Sequence, residues 1–364
     1  MPRLAFVDYL RVIYKIRSSG HSVRCWNVEM VKSPAGQLTA LLLTRKTETV
    51  TVSTSPSTVR AEHQNWAVYV GLVFTMFIWG LAWPVGRLLA KDLPPVSIAA
   101  IRYAIVIPVL FAILWFREGS FKIERSWIPT LVVMGILNTT LYQIFFLYGV
   151  KYAAASDDSL VIGIGPVLIA IMASFILKER LTGIKVLGFA SGLAGIITIS
   201  ILSPNTQVLN RPLGVTLVFG GATAYALYTV ILRRFIARNR ADNHGPQQSS
   251  LSILAWISLF GWFFLIPLSL VEAPWTYTWD GVSWLGILYL AILSTVVAYF
   301  LYIEGVSKIG AGRSGVFTNL VPVFGVLTSF FLLGESLSPW TGVSFLLILA
   351  GVLLVNRRVK SSGS

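Results

Sequence analysis

Hydrophobic and polar positions alternate along this chain in long blocks, not in the short periods of a water-soluble core. Ten apolar stretches stand out, at 67–89, 96–116, 128–149, 156–177, 184–202, 213–233, 251–271, 283–304, 314–333 and 339–356. Each approaches the roughly 20 residues with which an α-helix crosses a bilayer. A segment in lipid must satisfy its backbone amides internally, so runs of this length predict helices. Short polar turns separate most of them, and the longest polar connection is 234–250. The first 65 residues break the pattern. They carry Arg3, Arg11, Arg17, Arg24 and Arg45, many serines and threonines, few acids, and an apolar run at 38–43 too short to span. We expect 1–65 to be a disordered N-terminal extension with no essential part in the body's activity. It is a transit-type leader, a stretch upstream of a start near Met30 or later, or a cytoplasmic tail.

The apolar blocks are written twice. Gly149, Val150, Ala155, Pro166, Val167, Glu179, Leu181 and Gly195 recur as Gly305, Val306, Ala311, Pro322, Val323, Glu335, Leu337 and Gly351, always 156 residues later. The halves are 67–202 and 213–357, joined by 203–212 and followed by a tail at 358–364. Five helices per half is an odd number, so the second copy enters the membrane in the opposite sense. The expected fold is all-α and integral to the membrane, with ten transmembrane helices in two inverted five-helix repeats. Such repeats build secondary transporters around a central site.

Composition agrees. The chain is 55% hydrophobic and 12% charged, with mean hydropathy +0.74, whereas soluble domains carry about 25% charged residues. The formal charge of +14 does not point to nucleic acid, because the basic residues fall between apolar runs with no binding motif beside them. They collect on one side, as the positive-inside rule requires. Arg117, Lys122 and Arg125, then Lys178, Arg180 and Lys185, then Arg233, Arg234, Arg238 and Arg240, then Lys308 and Arg313, then Arg357, Arg358 and Lys360 all face inward if both termini are cytoplasmic. The outer turns hold little beyond Lys91, Lys151 and Arg211. The repeat records the inversion: Lys178-Glu179-Arg180 becomes Gly334-Glu335-Ser336 in the copy assigned outside. The expected location is a bacterial-type inner (plasma) membrane, with an organellar membrane as the alternative.

Cys25 is the one cysteine, and His21, His63 and His244 also lie outside the apolar blocks. A membrane-embedded thiolate site, cysteine nucleophile or histidine relay is therefore not expected. The chain has no phosphate-cradling GxxxxGK[ST] loop, no HExxH and no GxSxG. We expect no enzyme, no cofactor and no metal.

Trp79-Gly80 with Pro84, then Leu93-Pro94-Pro95 with Ala99-Ala100-Ile101-Arg102-Tyr103, open the first half. The Pro…Glu-x-Leu…Gly stretch closes each half, and the sixth helix runs from Gly214 through Ala222 and Ala224-Tyr225-Ala226-Leu227-Tyr228. In this ordered set the chain resembles the EamA family of the drug/metabolite transporter superfamily over about 67–357. The resemblance implies a ten-helix pseudosymmetric bundle that moves small metabolites, often outward. It names no substrate, because the family's substrates are diverse.

Ionisable residues inside spans are costly and so are functional candidates. Arg102, Asp157, Asp158 and Glu304 qualify. Arg102 either meets an anionic group of the solute or pairs with Asp157 or Asp158 to hold helices 2 and 4 together; the resembling family keeps this arginine across substrates. One aspartate is a candidate carrier of a coupling proton, and both sit where a helix N-terminus welcomes negative charge. Glu304 is either a proton site or a local partner of Lys308, one turn on. Glu179 and Glu335 are read as caps or turn anchors. Trp79, Asn138, Tyr142, Gln143, Tyr225, Tyr228, Trp256, Ser294, Tyr299 and Asn319 are the polar and aromatic residues deep enough to line a cavity. Pro166 and Pro322 interrupt equivalent helices and are hinge candidates. Trp275, Tyr277 and Trp279 suit an interfacial belt, and Gly188, Gly192 and Gly195 suit close helix packing. The expected function is secondary transport of small organic metabolites (amino-acid, purine or drug-like solutes), as an exporter working by alternating access. A channel-like facilitator and a membrane-embedded enzyme are the alternatives. Partners are the solute, membrane lipid and a candidate coupling proton, with oligomeric state left open.

Overall fold

A computed structural model describes residues 12–15, 25–32, 38–46, 56–178, 182–203, 208–241 and 249–356. The chain divides into two units, Met1–Glu62 and His63–Ser364. The described residues of the first include three strands, β1 (Val12–Lys15), β2 (Cys25–Lys32) and β3 (Leu38–Lys46), paired antiparallel in that order. Val28 stands opposite Val12 on one side and Leu43 on the other. These strands fall within the stretch expected to be a disordered extension over 1–65. Val12, Ile13, Tyr14, Trp26, Val28 and Thr39 are β-branched or aromatic residues that suit a pleated surface, a signal that the basic, serine-rich composition masked. The tail 358–364, Glu179 and the loop centred on His244 lie outside the described residues.

Among the described residues ten helices are long and apolar enough to cross a membrane. They are α1 (Trp66–Asp92), α2 (Pro95–Glu118), α3 (Arg125–Tyr152), α4 (Ala155–Ile176), α5 (Gly183–Leu202), α6 (Arg211–Arg238), α7 (Ser250–Val271), α8 (Gly281–Ile309), α9 (Arg313–Leu333) and α10 (Pro339–Asn356). Each expected block has its helix. Where the ends differ, polar residues such as Lys91, Asp92 and Arg238 carry the helix past the apolar run.

The repeat is visible in the packing. In the α5–α10 seam a Cβ on Gly188 would meet the carbonyl of Gly351 at 2.7 Å, and a Cβ on Gly195 would meet that of Ser344 at 2.9 Å. The 156-residue shift carries Gly188 onto Ser344 and Gly195 onto Gly351, so the two contacts exchange, as across a two-fold axis. Ser191 Oγ donates to the Leu347 carbonyl at 2.8 Å, and these two residues are themselves 156 apart. Small residues let the backbones approach this closely.

Two pairs of irregularities also obey the shift. A π-helical segment interrupts α3 at Ile136–Leu141 and α8 at Tyr289–Val297. A 3-10 turn at Ile162–Ile164 precedes Pro166 in α4, and a turn at Thr318 and Asn319 precedes Pro322 in α9. Proline lacks the N–H and crowds the preceding turn, so both helices break at the same place. A π segment leaves carbonyls out of the ordinary ladder, and such segments recur at functional sites.

Candidate functional site

The α8 π segment organises the centre of the bundle. Thr295 Oγ donates to the Leu290 carbonyl at 2.9 Å, five residues back. A hydroxyl has one proton and two lone pairs. With the proton spent along the helix, both lone pairs face α2, and Arg102 donates to them from Nη2 at 2.7 Å and Nε at 3.2 Å. Arg102 Nη1 donates to Gln143 Oε1 at 3.1 Å, and Gln143 Nε2 donates to the Tyr103 hydroxyl at 3.1 Å. The Arg102 guanidinium carbon lies 5.8 Å from the Tyr103 ring centroid. Arg102 is only 6% exposed, yet it makes no ion pair among the described residues. The expected pairing with Asp157 or Asp158 is therefore corrected: α2 turns Arg102 toward α3 and α8, whose neutral oxygens the π segment and Gln143 supply.

One residue before Thr295, the Ser294 carbonyl accepts from Trp79 Nε1 at 3.0 Å. Trp79 then packs against Tyr299 and Tyr302, with ring centroids at 5.4 and 5.3 Å. Tyr142 packs against Tyr225 at 5.7 Å, and Tyr225 against Tyr228 at 5.8 Å. Tyr142 and Tyr289 lie within the electrostatic reach of Arg102, and Tyr299 within that of Tyr142, Tyr225 and Tyr228. Trp79, Tyr142, Tyr225, Tyr299 and Tyr302 stay partly accessible although they lie mid-helix. A groove of about 740 Å³ is lined by Leu89 and Asp92 of α1 and by Gly286 and Tyr289 of α8. That volume falls in the range of small-molecule sites.

The other expected cavity residues separate from this cluster. Asn138 is buried in the α3 π segment. Trp256 packs between Phe111 and Phe260 at 5.3 and 5.6 Å, away from Arg102 and its partners. Glu304 is exposed and accepts from Lys308 Nζ at 2.6 Å, the local pair rather than a cavity acid. Asn319 lies with Pro322, Gly163 and Ile348 around a small void of about 20 Å³ between α4, α9 and α10. Trp275 and Tyr277 are exposed as a belt requires.

A second cluster lies where α4 begins. Glu335, only 3% exposed and set in the turn between α9 and α10, caps α4 from the other half of the chain. Its Oε1 accepts from Ala155 N at 2.9 Å, and its Oε2 from Ser156 N at 3.0 Å and Ser156 Oγ at 2.6 Å. Arg87 Nε lies 3.2 Å from Oε1, and Arg87 Nη1 donates to the Val150 and Ala153 carbonyls. Asp157 Oδ2 accepts from Arg211 Nε at 2.7 Å, and Arg211 Nη1 donates to the Ser203 carbonyl. Arg211, expected in an outer turn, is buried. Asp158 is fully buried, and neither of its oxygens has a hydrogen-bond partner among the described residues. At the same end Glu272 closes α7 and caps α2 in the same manner. It accepts from Val96 N at 3.1 Å, Ser97 N at 2.8 Å, Ser97 Oγ at 2.9 Å and the Tyr148 hydroxyl at 2.8 Å. Tyr302, Arg87 and Glu272 had no repeat or motif context, and only the fold brings them to their partners; Thr295 had a signal that went unused, because the repeat carries it onto Thr139.

The model of the EamA-like transporter family matches residues 66–201 and again 212–357. Among curated proteins, the uncharacterized transporter YetK of Bacillus subtilis is 29% identical over 73% of this chain and 80% of its own length. An uncharacterized transporter of Archaeoglobus fulgidus is 27% identical over 80% of this chain and 99% of its own. A probable terminal-alkyne amino-acid exporter of Streptantibioticus cattleyicolor is 24% identical over 79% of this chain and 92% of its own. One crystal structure superposes with a TM-score of 0.55 at 20% identity, covering 78% of this chain and 95% of that one, a likeness of fold.

Proposed function

Because the chain belongs to the EamA-like transporter family, we propose that it is a secondary carrier that exports small organic solutes bearing an anionic group and an apolar or aromatic body. Amino acids are the simplest members of that class. The observation that carries this reading is Arg102: a buried guanidinium held by Thr295 and Gln143, both neutral, with no acid paired to it among the described residues. A charge removed from water costs several kcal/mol, about 3–5 kcal/mol when a buried pair loses one member. Neutral hydrogen bonds and the Tyr103 ring offset only part of that, so an arriving carboxylate is attracted strongly. Trp79, Tyr142, Tyr225 and Tyr299 supply the apolar walls. The exporter among the relatives, with its amino-acid cargo, supports the class.

The carrier works by alternating access, with Pro166 and Pro322 as matched flexure points. The groove between α1 and α8 is the path by which solute reaches or leaves Arg102. Both termini face the cytoplasm, and the Glu335 end faces outward, in a bacterial-type inner membrane. The basic residues Arg117, Lys122, Arg233, Arg234 and Arg238 at the opposite end support that sense. A fusion reporter in the 239–248 loop is expected to read cytoplasmic, and an external reading overturns the orientation.

The test is counterflow in proteoliposomes with radiolabelled amino acids and purine bases. We expect saturable counterflow of at least one amino acid, lost in Arg102→Ala. Flux without saturation or counterflow refutes a carrier in favour of a channel. Counterflow of a neutral base that survives Arg102→Ala refutes the anion-binding role.

A further inference from the structure

The cluster at the start of α4 does not close its charges. Among the described residues, the charged groups facing Asp158 are Asp157 on its own helix, Arg87 on α1, Arg211 at the head of α6 and Glu335 in the α9–α10 turn. Asp157 is satisfied by Arg211, and Glu335 by Arg87 and the first turn of α4. Two arginines therefore stand against three acids, and the acid left over is Asp158, whose two oxygens are fully buried without a donor. Its surroundings are tight: a Cβ on Gly149 of α3 would lie 3.5 Å from Asp158 Oδ2. An ionised carboxylate enclosed without donors is far costlier than the neutral acid. In the same cluster Arg211 Nη2 is buried and also without a hydrogen-bond partner, so a donor lies in reserve for an ionised state.

We infer that Asp158 is a proton-binding site whose occupancy is tied to the closure of α4 against Glu335. With the cap in place, Asp158 holds one proton and the cluster is neutral. When the Glu335 cap parts from Ala155 and Ser156, water enters and the carboxyl loses its proton to that water, leaving a carboxylate within the field of Arg87 and Arg211. Closing takes one proton back from the same solution. The proton is the only species exchanged, and no electron moves. Opening of this end then releases a proton and closing binds one, which makes the transport cycle responsive to pH at the Glu335 face. This deepens the carrier reading but rests on the cluster's own geometry.

Infrared spectroscopy on purified full-length protein in lipid needs no substrate. At neutral pH we expect a carbonyl band of a protonated, dry carboxyl that disappears in Asp158→Asn, stays in Asp157→Asn, and shifts in Asp158→Glu. The glutamate variant keeps the test alive if the asparagine variant does not fold. Absence of such a band in the parent protein, or its survival in Asp158→Asn, overturns the inference. In proteoliposomes, whatever counterflow Asp158→Asn retains is expected to have lost the parent's dependence on pH at the Glu335 face. Unchanged pH dependence counts against the site. If no tested solute is exchanged at all, the carrier reading fails while the infrared result still decides the proton site.

Discussion

Glu335→Ala isolates one link between the two halves. Glu335 is 3% exposed and accepts two main-chain N–H groups and the Ser156 hydroxyl, with Arg87 Nε at 3.2 Å. Each hydrogen bond to a charged group is worth about 1.5–3 kcal/mol, and an orphaned buried donor carries its own desolvation cost. These terms are not additive, because the donors share one carboxylate. Breaking a buried pair by removing one partner costs about 3–5 kcal/mol in comparable settings. Arg87 keeps its bonds to the Val150 and Ala153 carbonyls, which caps the loss near that range. At about 2 °C per kcal/mol for a large domain, Glu335→Ala should lower the midpoint of thermal unfolding in detergent by about 6–10 °C. Glu335→Gln keeps one acceptor but turns an amide N–H₂ toward donors, so about half of that loss remains. Scanning fluorimetry at matched protein and detergent concentration measures both. A shift in Glu335→Ala within about 2 °C would show that α4 does not depend on this cap, and the reasoning would fail.

Thr295→Val removes the oxygen that accepts both Arg102 Nη2 and Nε. Losing bonds to a charged group at about 1.5–3 kcal/mol, it should weaken solute affinity in counterflow roughly tenfold or more, with thermal stability less affected than in Glu335→Ala; unaltered affinity refutes the positioning of Arg102 by the π segment. Gly188→Leu drives a side chain into the Gly351 carbonyl, 2.7 Å from the first added carbon, and should destabilise by the roughly 1–3 kcal/mol or more of an overpacked core. Gly183→Ala, with nothing within 4 Å of the added carbon, should be silent in the same melt. Asp280 lies outside the spans and caps α8, and its carboxyl is held below the ordinary value by the Ser283 hydroxyl and N–H. A depressed carboxylate contributes stability above its unfolded value and loses it as pH falls through the folded one. The melting point of the parent should therefore fall more than that of Asp280→Asn only on acidification below about pH 4, and equal slopes there refute the cap's role.

The ten helices were legible because lipid enforces long apolar runs with internally satisfied backbones, and the membrane gives each residue one environment to report. The repeat was legible for a related reason: Gly195 and Pro166 fill backbone-level constraints, and the second copy keeps them as Gly351 and Pro322. The partners of charges were not legible. Arg102 sits two turns into α2, at a depth like that of Asp157 and Asp158, and depth alone made a pair plausible. Rotation about the helix axis decides the matter. A π segment adds a residue to the turn and redirects the side chains beyond it, so Thr295 faces Arg102 in a register that regular helical counting does not anticipate. Glu335 was read as a cap of its own neighbourhood. It caps a helix 180 residues earlier in the chain, because the two halves interlock at that end. Glu304 shows the converse: a charged residue within a span can be held by a neighbour one turn away on its own helix, here Lys308.

The repeat also separates scaffold from chemistry within the site. Continued into α2 and α7, the 156-residue shift carries Arg102 onto Ser258 and Thr295 onto Thr139. Ser258 and Thr139 are both buried, and neither side-chain oxygen has a partner among the described residues. Each half thus keeps the same π segment with a threonine directed at the preceding helix pair, but only one half meets it with a guanidinium. In the other half the position equivalent to Arg102 is a serine, and Gly261 lets α7 approach α3, where Thr140 Oγ donates to the Gly261 carbonyl at 2.8 Å. If the proposed anionic solute docks at Arg102, this two-fold scaffold with one charged corner would orient it, with the aromatic residues drawn from α1, α3, α6 and α8. On the proposed carrier reading, the backbone repeat supplies two equivalent halves, and the asymmetry lies at Arg102 and Asp158, whose repeat counterparts are the uncharged Ser258 and Ser314.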